Sequence, residues 1–111
     1  MELNILERVL IYFSLLPKTG DLLTIRLVKS IKKKIELTNE EQSLGIVLDK
    51  DMNGDIYIKY ISEDALNCIK CIDLSEKELK LITNYCKVLD SNKQITEANI
   101  DLIEKFLNED I

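Results

Sequence analysis

The stretch Asp49–Tyr60, DKDMNGDIYIKY, is compatible with two architectures. Asp49, Asp51, Asn53 and Gly54 reproduce the opening of a calcium-binding loop, D-x-[DN]-x-[DN]-G, which sits between two helices. Asn53-Gly54 is also the strongest short hairpin signal, and a hairpin needs a strand on each side. The loop's twelfth position should supply a bidentate Glu. Here it is Tyr60, and Glu63 falls three residues too late. Losing that residue removes two oxygen contacts and much of the negative charge. The following residues, IYIKYI, are β-branched and aromatic and favour a strand. The hairpin is therefore the reading adopted, with the Asn-Gly pair taking positive φ at a tight turn. No metal is expected, and the nearby aspartates are read as solvated turn residues.

Working outward, Ile46–Leu48 and Ile56–Ile61 are the two arms of the hairpin, and Cys68–Asp73 could add a third strand to make a small meander around 46–73. Upstream, Thr38 with Glu41 forms a capping box and Gly45 is a natural stop, which brackets one short helix. Before it, Thr19 or Asp21 caps a helix with Leu23, Leu27, Val28, Ile31 and Ile35 on its buried stripe and Arg26, Lys29, Lys32 and Lys33 on the other side. Asn4 with Glu7 opens the first helix, which Pro17 prevents from continuing past about Leu16. This helix is apolar nearly all round, so it needs cover on more than one side. A homo-oligomer interface through Val9, Tyr12 and Phe13 is expected.

Downstream, Ser75 with Glu78 caps a helix carrying Leu79, Ile82, Cys86 and Leu89 at helical spacing. After the polar turn Asp90–Gln94, Thr96 caps a last helix with Ile100, Ile103, Phe106 and Leu107 on one face. These two helices form an antiparallel hairpin. The expected fold is α+β and mostly helical. It has two N-terminal helices, a short helix, the small β-hairpin or meander and the C-terminal helical hairpin, in a single domain over residues 1–111.

The bulk chemistry narrows the functional classes. With 46% apolar residues, no Trp and only two Phe, the core is aliphatic. No run of eighteen apolar residues exists, and neither a signal peptide nor a membrane span is indicated, which places the protein in the cytoplasm. A net charge of −5 argues against general nucleic-acid binding, although RLVKSIKKK (Arg26–Lys34) is a local basic run.

No catalytic residues are assigned and the protein is read as not an enzyme. The chain has no His, which removes the commonest general base, and no carboxylate pair is singled out by spacing. Cys68 and Cys71 have C-x-x-C spacing, but with only Cys86 left as a sulfur ligand they lack a zinc set, and they are read as ordinary buried thiols. No cofactor is expected. The polar cluster of most interest is Lys18-Thr19-Gly20 at a helix start, with Thr24 and Arg26 just inside. Free N–H groups there attract anions, so these five residues are the candidate ligand site. The plainer reading, a helix–helix turn with a solvated Lys18, carries more weight on residue chemistry alone. Tyr57 and Tyr60 are further candidates for ligand contact or an interface, because Tyr57 should point opposite to Ile56 and Ile58.

The run ERVLIYFSLLPKTGDLLTIRLVKSIKKKIELTNEE, followed by the hairpin and by LTNYCKVLDSNKQITEANIDLIEKFL, resembles a family of small proteins encoded by tailed bacteriophages and prophages. Those proteins read E-R-L, L-L-P-K-x-G, T-[LI]-[KR], S/T-x-x-E, then L-D before [LI]-T and an E-K-F end, in the same order over nearly the whole chain. Where members often carry Trp in the hairpin, this chain has Tyr57 and Tyr60. The resemblance implies a viral accessory protein in the cytoplasm of an infected bacterium. The function expected from it, together with the helix-start cluster, is to counter host defence by sequestering an anionic nucleotide signal. The alternatives are an inhibitor or adaptor of a host protein that uses the acidic C-terminal helices, or a virion-assembly or DNA-metabolism accessory.

Overall fold

Three capping boxes organise the chain. Asn4, Thr38 and Ser75 each accept a hydrogen bond from the backbone N–H three residues on, and the Glu7, Glu41 and Glu78 side chains accept one from the cap's own N–H. The computed structural model describes residues 1–54 and 56–109. Its elements are β1 (Glu2–Asn4), α1 (Ile5–Ser14), α2 (Leu22–Ile35), α3 (Asn39–Gln42), β2 (Ile46–Lys50), β3 (Ile56–Ile61), α4 (Glu63–Asn67), β4 (Ile69–Cys71), α5 (Glu76–Ser91) and α6 (Ile100–Glu109). The α+β, mostly helical architecture is the expected one. No helix among the described residues is long and apolar enough to cross a membrane.

Of the two strand arrangements expected around 46–73, the hairpin is the one formed. β2 and β3 form the antiparallel hairpin, but β4 pairs with β1 instead of joining them, with Leu3 opposite Lys70. The connection between hairpin and β4 is helical, because Ser62 caps α4 by accepting from Ala65 N–H at 3.1 Å. Among the described residues of the hairpin tip, Gly54 takes positive φ (84°) and Asn53 does not. Gly54 N–H reaches Asp51 O at 3.1 Å, and the Asp51 carboxylate accepts from Asn53 N–H at 2.8 Å. The tip is thus a turn shaped by Asp51 rather than a two-residue Asn-Gly loop. With a strand on each side, the acidic stretch lacks the helical frame of a calcium loop, and the described residues hold no cluster of metal-ligating side chains.

The main core lies between α1, α2, α5 and α6, where Ile11, Leu15, Ile31, Ile82, Cys86, Ile103 and Phe106 are buried. Each such side chain contributes about 1.5–3 kcal/mol. A smaller cluster, Ile5, Val9 and Ala65, anchors the base of the hairpin through Ile46, Ile58 and Ile61. Three expectations about faces change. The α2 stripe begins at Val28, with Leu27 half-buried and Leu23 60% exposed. In α6, Leu102 is buried while Ile100 stands at the surface. A half capping box, in which the Asn99 side chain accepts from Thr96 N–H at 2.9 Å, precedes α6. The α5 end is closed by Lys93 in left-handed backbone (φ 57°), with Lys93 N–H bonded to Asp90 O and Gln94 N–H to Leu89 O.

Arg8 is the residue whose role the sequence reading missed. It is fully buried, and its guanidinium donates to Ile35 O at 3.1 Å and Glu36 O at 2.7 Å, capping the C-terminal carbonyls of α2. It also makes a two-pronged pair with the Glu41 carboxylate, at 3.0 Å from Nη2 to Oε1 and a closer contact from Nη1 to Oε2. One side chain therefore joins α1, the end of α2 and the start of α3.

Candidate functional site

The hairpin stands over the α1 side of the body, and two hollows open beneath it. The first, about 760 Å³, lies between α1, the α2–α3 connection and the hairpin, with Phe13, Leu37, Ile46 and Leu48 among its walls and Glu36, Asn39 and Gln42 on its rim. The second, about 600 Å³, lies between the end of α1, the Pro17-Lys18 turn, α2 and the hairpin tip. Tyr12 and Phe13 line both, so the two are neighbours separated by one aromatic pair. Those rings meet edge to face, with centroids 4.9 Å apart.

The second hollow is cationic. Lys18 enters it from the turn, and Lys29 and Lys32 enter from successive turns of α2, where spacing of three places them on one face. Lys32 Nζ lies 4.8 Å from the Tyr12 ring centroid, a cation–π contact that holds the ammonium over the aromatic wall. Among the described residues, no carboxylate lines this hollow and none of the three lysines is in an ion pair. Ile25, Val28 and Ile56 complete its apolar surface.

Of the five residues expected at the helix start, only Lys18 lines a hollow. Thr19, Gly20 and Arg26 are exposed away from it, and Thr24 faces back toward Gly20, where an added Cβ would lie 2.9 Å from Thr24 Cγ2. One of the free N–H groups at the start of α2 already has an anion, because the Asp21 carboxylate accepts from Thr24 N–H at 2.8 Å. Hydrogen bonding from the Thr24 side chain, and after it from the Thr24 N–H, holds the Asp21 carboxyl below its usual value.

Val9, expected at a subunit interface, is only 6% exposed and is packed inside the chain with Ile5 and Ala65. Tyr12 and Phe13 are half-buried walls of the hollows. Tyr57 and Tyr60 lie on the outer face of the hairpin, 46% and 58% exposed, with Tyr60 opposite Val47 and Tyr57 opposite Asp49. The register slips between Val47 and Leu48, leaving Lys59 as the extra residue of a bulge. The alternation of Ile56 and Ile58 inward with Tyr57 outward is as expected.

Among the cysteines, Cys86 is buried, and burial pushes its thiol up to about 11. Cys71 is exposed and Cys68 half-buried, so the pair is not the set of buried thiols expected.

Lys29 and Lys32 belong to the basic face of α2 that the sequence pattern marks out. What singles them out is the Tyr12 ring beside them and Lys18 opposite, a juxtaposition of three segments that no local pattern carries. Comparisons with protein-family models, curated proteins and solved structures give no match to this chain.

Proposed function

We propose that the protein is a non-enzymatic phage accessory protein that acts in the cytoplasm of the infected bacterial cell and sequesters a small anionic nucleotide signal of host defence. The supporting observation is the convergence of Lys18, Lys29 and Lys32 on one hollow beside the Tyr12–Phe13 pair, with no ion-pair partner among the described residues. Ammonium groups without a carboxylate partner attract phosphate oxygens, and an aromatic wall offers a stacking surface for a flat ring. The site is thereby shifted from the start of α2 to its middle. The non-enzymatic part rests on residue types, since the chain has no His and the hollow places lysines, aromatic rings and the Ser14 hydroxyl together with no general base of the commonest kind beside them. The phage role rests on the sequence resemblance.

Isothermal titration against ADP, ADP-ribose and cyclic di- and trinucleotides tests the reading. A micromolar or tighter dissociation constant for at least one of them, weakened by added salt and abolished by Lys29→Glu with Lys32→Glu, is expected. The absence of heat from all of them at millimolar ligand would refute it.

A second copy of the chain is the partner favoured for the outer face of the hairpin, where Val47, Tyr57 and Tyr60 form an exposed apolar strip on a two-stranded sheet. Sedimentation velocity should show a dimer that Tyr57→Ser with Tyr60→Ser converts to monomer. A wild-type monomer at 100 μM, on the order of the concentrations such contacts need, would remove this partner.

A further inference from the structure

We infer that the first hollow is the seat of a nucleobase, so that the ligand of the lysine hollow is a nucleoside phosphate held at both ends. This rests on the anion-binding reading above and names the chemistry of the ligand's other half. The two hollows differ in charge. The lysine hollow carries Lys18, Lys29 and Lys32, whereas the first has apolar walls with a carboxylate and two amides on its rim.

The polar groups lining that first hollow are Arg8, Glu36, Asn39 and Gln42, with the Tyr12 hydroxyl. Arg8 is committed to Ile35 O, Glu36 O and Glu41, so it has no spare charge to offer an anion. Glu36 is exposed, caps α2 through its backbone, and repels phosphate. Gln42 spends its Nε2 on Leu37 O at 3.3 Å, leaving its amide oxygen as an acceptor. Asn39 is exposed with its side-chain amide uncommitted among the described residues.

A molecule touching both hollows must therefore have an anionic end and a flat, neutral end carrying N–H donors. The flat end lies against Phe13 and Leu48, with its edge toward the Gln42 and Glu36 oxygens and the Asn39 amide. Adenine, guanine and cytosine carry an exocyclic amine that such acceptors would engage, and uracil does not. The shared Tyr12–Phe13 wall is where base gives way to sugar and phosphate. A fatty acid lacks the donors, and a bare polyanion has nothing to place in the first hollow.

Equilibrium dialysis with six probes tests this: ADP, GDP, CDP and UDP, with inorganic pyrophosphate and ribose 5-phosphate as anions without a base. Wild type is compared with the Asn39→Ala, Gln42→Ala double variant, whose altered side chains are at the surface and whose folding is checked by circular dichroism. The best nucleoside diphosphate should bind at least about tenfold more tightly than pyrophosphate, a gap of about one good polar contact, with UDP the weakest of the four. The double variant should lose most of that advantage while its pyrophosphate affinity stays unchanged.

Equal binding of pyrophosphate and all four diphosphates would overturn the base seat and leave the anion-binding reading standing. A base advantage untouched by the double variant would place the base elsewhere and equally overturn the inference. Binding of none of the six would end both.

Discussion

Replacing Glu41 with Gln should lower stability at pH 7 and flatten its dependence on acid. The Glu41 side chain is 12% exposed and accepts from both Arg8 nitrogens and from Thr38 N–H at 3.0 Å. The hydrogen bond from Arg8, with smaller help from Thr38, outweighs burial and brings its carboxyl from 4.5 to about 2. A shift of that size corresponds to about 3 kcal/mol of stability carried by the ionised form. Since the folded value is the lower one, the unfolded chain takes up the proton first as pH falls. The contribution is complete above about 4.5 and disappears as pH drops through about 2. Gln keeps one acceptor and the volume but leaves Arg8 charged and buried without its counter-ion, a cost of the same order. In a chain of 111 residues a loss of about 3 kcal/mol corresponds to a fall in Tm of more than about 10 °C.

Urea unfolding at pH 7, 5, 4 and 3 measures both effects, with Glu40→Gln, an exposed neighbour in the same helix, as the control within about 0.5 kcal/mol of wild type. Glu78 limits how flat the acid profile can become. Burial works to raise its carboxyl, but hydrogen bonds from Lys34 and from the Ser75 cap prevail and bring it from 4.5 to about 2 as well. Wild type therefore loses two contributions in the same window and Glu41→Gln loses one. If Glu41→Gln matched wild type at pH 7, or lost stability just as steeply between pH 5 and 3, the account of Arg8 as a charge held by Glu41 would be wrong.

Other perturbations separate backbone from packing effects. Gly45 (φ 98°) and Gly54 (φ 84°) both occupy left-handed backbone, but a Cβ on Gly45 would sit 3.1 Å from Ser62 Oγ, whereas Gly54 has open space. By urea unfolding, Gly54→Ala should cost about 1 kcal/mol and Gly45→Ala clearly more, about 2–3 kcal/mol, and equal costs would contradict the packing at Gly45. Lys93→Gly, at the left-handed residue closing α5, should raise stability by about 0.5–1 kcal/mol, visible as a higher Tm. In thiol labelling of native protein at pH 8, Cys71 should react first and Cys86 only on unfolding, because the latter is buried with its thiol pushed up to about 11. Rapid labelling of Cys86 in folded protein, located by peptide mass spectrometry, would disprove that.

What could be read from the chain follows from how far apart the participating residues are. The three capping boxes each act over three residues, so Asn4, Thr38 and Ser75 announced their helices. The hairpin was readable because its arms are adjacent in sequence. The β1–β4 pair was not, because three-residue strands show no periodicity and their partners lie some seventy positions apart. Arg8 did leave a signal. A charged residue in a helix apolar nearly all round must either reach water or find a partner, and that partner, Glu41, lies 33 positions on, where no local pattern joins the two. The lysine hollow was only partly visible. Lys18 drew attention for its place beside Thr19 and Gly20, yet its neighbours in space are Lys29, Lys32 and Tyr12. Asp21 contributes to the difference, since its carboxylate takes the Thr24 N–H at the helix end where the anion was expected.

The pairing of β1 with β4 also bears on how the chain is made. Synthesis is vectorial, so Leu3 emerges from the ribosome long before Lys70, its partner across the ladder, has been translated. The Glu2 carbonyl waits longer still for Lys105, whose Nζ donates to it at 2.7 Å. Until those later segments arrive, the nascent α1 carries uncovered the part of its apolar surface that α5 and α6 later bury, although Arg8 can already meet Glu41, which is translated before Lys70. Slow closure of so long a loop makes the partly synthesised chain the stage most in need of a chaperone's cover.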